Sequence, residues 1–326
     1  MSAPPTLSIV VVFFNMQREA QRSLLTLTKQ YQAGVNDLDY EVICVDNGST
    51  QPLSPDMVKS FGPQFRYHFH ETTSKSPAEA INFGVAQARA QHVMIIPDGA
   101  NILTPRVFWF TLKAIREFSN ALVGVVAFAL GTRAEAETWS QATEDRHLAG
   151  IDWQRNGYQL FRLTSTFRDG SAAWFGCQFE STCFTMRKDT FEKLGGFDPA
   201  FQSPGGGFVA LDFFQRAMAL PQLTYVQLLG EATFHQYHGG AASGAKQQDQ
   251  DRIVESFLNE YRAIRNCEFE VVTRLPIYLG QFASESMHVA EIAARLGFEW
   301  WRQQLQSPPP EQQAPPTPAP SAPPPK

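Results

Sequence analysis

Some residues in this chain have the type and spacing that chemistry requires. Asp98 lies in "IIPDGAN" (95–101), where an apolar run stops at a lone carboxylate followed by Gly99. Asp-Gly after a strand makes a tight turn. A carboxylate at a strand end also holds a divalent cation against phosphate groups, and Mg²⁺ does so with only one or two protein carboxylates plus phosphates and water. His235 and His238 stand three apart in "FHQYHGG". A lone histidine is usually structural, but a pair before two glycines points to a site, and imidazole tolerates Mn²⁺. At strand spacing the two rings face opposite sides of a sheet, so one of them is expected at the ligand unless the chain turns after His235. Asp46 begins "DNGST", a turn string; its carboxylate is also able to accept a hydrogen bond from the imide nitrogen of a pyrimidine base, helped by nearby backbone amides. Asp212 follows the glycine run in "GGGFVALDFFQRA". It is either an acid favoured by a helix N-terminus or a general base for a hydroxyl, a role worth ~10²–10⁴-fold in rate. The glycines let backbone approach a substrate or let the loop move.

The elements that must position these residues are legible in outline. "LSIVVVFF" (7–14) and "YEVICV" (40–45) are continuous β-branched runs, the pattern of strands buried on both faces. "MQREAQRSLLTLTKQY" has helical spacing, and "RYHFH" (66–70) and "HVMII" (92–96) read as strands. "SPAEAINFGVAQARA" (76–90) reads as a helix with Ser76 as N-cap, Pro77 in the first turn and Glu79 completing the cap. This β-α-β-α-β order predicts a parallel, right-handed α/β sheet, which places ligands at the carboxyl ends of the strands. Those ends are 13–15, 46–49 and 98–101. Further along, "ALVGVVAFAL" (121–130), "YQLFRL" (158–163), "STCFTM" (181–186) and "LTYVQLLG" (223–230) read as strands. "ALDFFQRAMAL" (210–220) reads as a helix, and "GGFDPAFQSPGGG" (195–207) as a glycine-rich loop. Beyond about residue 245 the spacing is helical, and the final twenty residues are Pro-rich, a composition that builds no core and suits a disordered or polyproline-II extension.

Composition narrows the function. Apolar residues make up 43% of the 326, enough for a sizeable core, and the net charge of -5 without a basic run argues against nucleic-acid binding. The N-terminus lacks the basic and apolar regions of a signal peptide, and no apolar run reaches the roughly 20 residues that span a bilayer. Cys44, Cys177, Cys183 and Cys267 form no CxxC pair, which suits a reducing cytoplasm. Cys177 and Cys183 are able to pair, but free buried thiols fit better. Trp300 and Trp301 read as helix packing with one exposed ring, rather than as a membrane-interface mark. A dinucleotide-dependent oxidoreductase would need GxGxxG after the first strand, where "FFNMQRE" stands.

Taken in order, "SIVVVFFNMQREAQRSL", "YEVICVDNGST", "SPAEAINFGVAQARAQHVMIIPDGA", "LGGFDPAFQSPGGGFVALDFFQRA" and "GEATFHQYHGG" resemble a family 2 glycosyltransferase over about residues 7–245. The resemblance implies a GT-A α/β fold: a Rossmann-like, mostly parallel central sheet flanked by helices, with a helical C-terminal extension. The expected division is a GT-A domain at 1–245, a helical extension at 246–306 and a Pro-rich tail at 307–326. By the same resemblance Phe13 and Asn15 line the nucleotide base, Asp46 with Asn47 contacts uracil or thymine, and Asn82 borders the donor. Asp98, with Gly99, matches the first acid of the Asp-x-Asp motif, Asp212 the base that ends the Glu-Asp pair, and His235 or His238 the late histidine of metal-dependent members. The second acid of Asp-x-Asp is absent at Ala100, with Asn101 offering an amide oxygen, and Leu211 replaces the Glu. The implied activity is inverting transfer from a UDP- or dTDP-sugar, with Mn²⁺ or Mg²⁺, to a glycan, lipid-linked or protein hydroxyl. Glycan or cell-surface polysaccharide synthesis is the expected context, in the cytoplasm or at the inner membrane face. The rival is a non-catalytic nucleotide-sugar or glycan-binding module.

Overall fold

The computed structural model describes residues 3–131, 138–164, 172–176, 178–180, 182–239 and 247–306, with backbone only at 247, 248, 250 and 304–306. The tail at 307–326 and Cys177 lie outside the described residues.

Strand β1 (Leu7–Phe13) is buried along its whole length. Ile9, Val11 and Phe13 enter one core and Val10 and Val12 the other, the two-residue alternation of a strand covered on both faces. Around it lie β2 (Tyr40–Asn47), β3 (Phe65–His70) and β4 (His92–Ile96), with β1 parallel to β2 and β4, and β2 parallel to β3. Helix α1 (Gln17–Thr26) follows β1, α2 (Pro55–Ser60) follows β2, and α3 (Ala78–Gln87) lies between β3 and β4. A Cβ at Gly84 would overlap Val10, so glycine lets α3 sit against the sheet.

Beyond β4 come β5 (Asn101–Leu103), α4 (Val107–Glu117), β6 (Ala121–Ala129), α5 (Gln141–Ala149), β7 (Cys183–Arg187), α6 (Lys188–Lys193), α7 (Val209–Met218) and β8 (Thr224–His235). The sheet order is β3-β2-β1-β4-β7-β6-β8-β5. It is mostly parallel but mixed, because β7 runs antiparallel to both β4 and β6, and β5 antiparallel to β8. This is the mostly parallel sheet that was expected; sequence periodicity reports burial and not direction, so the antiparallel placement of β7 and β5 was not foreseen.

Other local readings also shift. Residues 157–163 form a 3₁₀ helix and not a strand. Asn156 caps it through Tyr158 N–H, and Leu160 and Phe161 are both buried. Helix α1 stops at Thr26, where the Thr26 and Thr28 hydroxyls donate back to the Ser23 and Leu25 carbonyls. The N-cap of α3 is Pro77 and not Ser76, although the Ser76 hydroxyl accepts from Ala78 N–H at 3.4 Å. The C-terminal part holds α8 (Gln247–Arg265) and α9 (Met287–Gln306) as expected, but also β9 (Ile277–Gly280), which extends the sheet by pairing parallel to β8. No helix among the described residues is long and apolar enough to cross a membrane.

One buried acid ties these layers together. Glu231 on β8 accepts from the Thr104 hydroxyl (2.6 Å), the Tyr158 hydroxyl (2.7 Å) and Arg106 N–H (3.1 Å). Burial nevertheless raises its carboxyl from 4.5 to about 7. The folded chain therefore binds a proton there that the unfolded chain has released, and stability attributable to Glu231 falls as pH rises from about 4.5 to about 7. Glu231→Gln is expected to remove that slope. In urea denaturation at successive pH values, wild type should lose on the order of 3 kcal/mol relative to the variant across this window.

Candidate active site

Asp98 divides its two oxygens between a turn and a histidine cluster. Its Oδ1 accepts from Ala100 N–H at 2.8 Å, closing the turn after β4. Its Oδ2 lies 3.0 Å from His235 Nε2 and 3.3 Å from His238 Nε2. The two Nε2 atoms are themselves 3.2 Å apart. Both histidines reach the carboxylate because β8 ends at His235 and His238 lies beyond the strand, where strand alternation no longer applies, the alternative that the sequence left open. Burial opposes ionisation of Asp98, but the two imidazoles hold its carboxyl well below the usual range.

The spacing of these atoms fits a cation. Ligands bonded at about 2.1 Å lie about 3.0 Å apart at adjacent octahedral positions and about 3.4 Å apart in a tetrahedron. The three atoms fall between these values, and Asp98, His235 and His238 are the group among the described residues placed to hold a metal. Two nitrogens and one oxygen make the set softer than an all-oxygen site and suit Mn²⁺ better than Mg²⁺.

The segment between the histidines is held by α1 and α5. Tyr237 N–H donates to Glu144 at 2.8 Å, and Arg18 donates to the Tyr237 carbonyl at 3.3 Å and to Glu144 at 2.9 Å. Gln236 donates to the Glu19 carbonyl and the Ser23 hydroxyl, both at 3.1 Å. Arg18 and Arg22 also pair with Asp145. None of these supports was singled out from sequence. The Arg18/Arg22 spacing on one helix face was a signal, but apart from the adjacent Glu19 the acidic partners come from residues 144–145, more than a hundred positions away.

The β1 and β2 exits are tied to each other. Asn15, at φ 53°, donates its N–H to the Ser49 hydroxyl, and its side-chain oxygen accepts from Thr50 and Gln51. Phe13 is fully buried and packs against Gly99, where any Cβ would overlap its ring; Gly99 N–H reaches the Val12 carbonyl at 2.7 Å. Phe13 therefore supports the turn from beneath. Asp46 is wholly buried, and its oxygens accept from Ser49 N–H (3.1 Å), Leu53 N–H (2.8 Å) and the Tyr67 hydroxyl (3.4 Å). Burial and the nearby Asp46 charge push that hydroxyl up to about 12. Asn47 donates to the Ser76 carbonyl, while its Oδ1 has no partner among the described residues. The spare acceptor at this strand end thus belongs to Asn47. Asn82 uses both ends of its amide on the Phe197 backbone, joining α3 to the glycine-rich loop.

Asp212 lies in the first turn of α7. It is 2% exposed and clamped by Arg216 Nε (2.9 Å) and by Arg265 Nε (2.6 Å) and Nη2 (2.8 Å). Arg265 comes from α8 and also pairs with Asp198 at 2.7 Å, while Glu260 of the same helix accepts from the loop N–H groups of Gln202 and Ser203.

The family model "Glycosyl transferase family 2" matches residues 8–194, more than half of the chain, and the chain belongs to that family. Its fold is of the GT-A type. Solved structures similar to it include S. aureus TarS, at 14% identity over 79% of this chain and 44% of that one, with a TM-score of 0.49. TarS 1–349 in complex with UDP-GlcNAc is similar at 14% identity over 89% of this chain and 71% of that one, TM-score 0.49. The chain thus spans less than half the length of full TarS. No curated protein matches the sequence. Asp212, His235 and His238 lie beyond the family-matched residues.

The different engagement of Asp46 and Asn47 is measurable. Asp46→Ala strips partners from two buried N–H groups and should cost about 2–4 kcal/mol, whereas Asn47→Ala removes an unsatisfied acceptor along with one hydrogen bond. Thermal melts should show a large drop for the first and a small change for the second.

Proposed function

We propose that this chain transfers a sugar from a UDP- or dTDP-sugar to an acceptor hydroxyl by single displacement, inverting the anomeric configuration. The observation that carries this reading is the convergence of Asp98, His235 and His238 on one point beside the carboxyl ends of β1 and β4. Ligands of parallel α/β sheets gather at such ends.

Asp98, His235 and His238 would hold the divalent cation, preferentially Mn²⁺. When bound there, the cation neutralises charge on the leaving diphosphate. Asn47 Oδ1 is the acceptor for the base imide, with Asp46 shaping the turn that presents it, and Asn15 and Gly99 frame the donor side. Asp212 is the base. A carboxylate offers about four acceptor positions; the two arginines occupy one on Oδ1 and two on Oδ2. The remaining position on Oδ1 is the one a hydroxyl would use. Reaching it requires the loop at 195–207 to move, and Gly205, Gly206 and Gly207 there all have positive φ. Donor and acceptor chemistry is assigned to residues 1–245, with 246–306 as support through Arg265 and Glu260. A cytoplasmic setting and a role in glycan synthesis complete the reading.

The enclosed Asp212 and the missing second acid favour one rival, a module that binds nucleotide sugars without turning them over. Both are tested by nucleotide release from a panel of UDP- and dTDP-sugars with Mn²⁺, alongside thermal-shift binding. Wild type should release nucleotide, and Asp212→Asn should lose at least ~10²-fold in rate while keeping its donor-induced stabilisation. Binding without turnover by wild type would establish the module. Unchanged turnover in Asp212→Asn would remove it as the base.

A further inference from the structure

Asn101 opens β5 and is 1% exposed. Its Nδ2 donates to the Asp98 carbonyl at 2.8 Å. A carbonyl only accepts, so the amide orientation is fixed: nitrogen to Asp98, oxygen away. That oxygen has no hydrogen-bond partner among the described residues. An orphaned buried acceptor costs about 1–3 kcal/mol, and such a group calls for a missing water or ion. Its place is informative. Asn101 pairs with His235 in the antiparallel β5–β8 ladder, and directly opposed residues send their side chains to the same face at neighbouring positions. The orphan is thus tethered to one residue of the Asp98–His235–His238 cluster and is the ladder neighbour of another.

We propose that Asn101 Oδ1 is a fourth protein ligand of the cation site. It supplies a neutral oxygen to a set that otherwise has a single carboxylate and two imidazoles. Hard divalent cations take six or more donors, so the oxygen adds to the set without crowding out phosphate or water. The inference rests on the metal reading of the cluster. It also explains why the fold tolerates an unsatisfied acceptor: the cost falls on the metal-free chain and is relieved on binding.

Direct titration of the full chain with Mn²⁺ alone, followed by electron paramagnetic resonance of the free ion, separates the two claims. Wild type should bind one Mn²⁺ saturably. Asn101→Ala should melt within a few degrees of wild type without metal but bind Mn²⁺ about tenfold or more weakly, a split that a purely structural asparagine would not give. Asn101→Asp gives up the amide donation to the Asp98 carbonyl but adds a charge at the ligand position, so it should bind Mn²⁺ more tightly than wild type, and it decides the matter if the alanine variant fails to fold. Wild-type-like Mn²⁺ affinity in both variants overturns the Asn101 assignment and leaves the cluster intact. Absence of saturable binding in wild type overturns the metal reading itself.

Discussion

Much of this molecule is organised around three electronegative atoms held within 3.3 Å of one another: Asp98 Oδ2, His235 Nε2 and His238 Nε2. Such an arrangement persists only if a proton or cation sits among the atoms, or if the surrounding structure leaves them no alternative. The chain supplies constraints from several directions. The Asp98 turn is closed by Ala100 and packed onto Phe13 through a glycine that admits no side chain. The peptides between the histidines are fixed by Glu144, Arg18 and Gln236. Burying Glu144 completely is costly, and burial does raise its carboxyl. Its N–H and guanidinium partners offset that cost while locking the backbone from which His238 projects.

The second centre is the acid Asp212, which the fold treats differently. Rather than being left available, it is gripped by one arginine from its own helix and one from α8. The same α8 residue neutralises Asp198, and Glu260 secures the loop between. The C-terminal helices are thus wired into the glycine-rich segment, and β9 extends the sheet beside them. The loop and Asp212 are therefore held by the same helix, through residues that lie outside the family-matched stretch.

What the sequence made legible follows from which physics is local. Strands β1, β2 and β4 were readable because burial on both faces requires an unbroken β-branched run. Strand direction was not, because β7 carries the same apolar signature whether parallel or antiparallel. Asp98 and the histidines were readable as residue types, but their convergence depended on β8 ending at His235, which strand spacing alone does not reveal. Asp46 and Asn47 were read as neighbours in one site, and only the hydrogen bonds separate the acid that builds the turn from the amide left with a spare acceptor. The Arg265 clamp on Asp212 was invisible, since an ion pair between residues 53 apart leaves no local pattern, whereas Arg216 stands at the i+4 spacing of the same helix.

The central claim is that these three side chains share a cation. Crystals grown with Mn²⁺ and UDP, measured above and below the manganese absorption edge, test it most directly. The expected result is one strong anomalous peak within bonding distance of Asp98 Oδ2, His235 Nε2 and His238 Nε2, in contact with the diphosphate. A diphosphate bound with no anomalous peak among these atoms, or a peak held by other residues, would contradict the account.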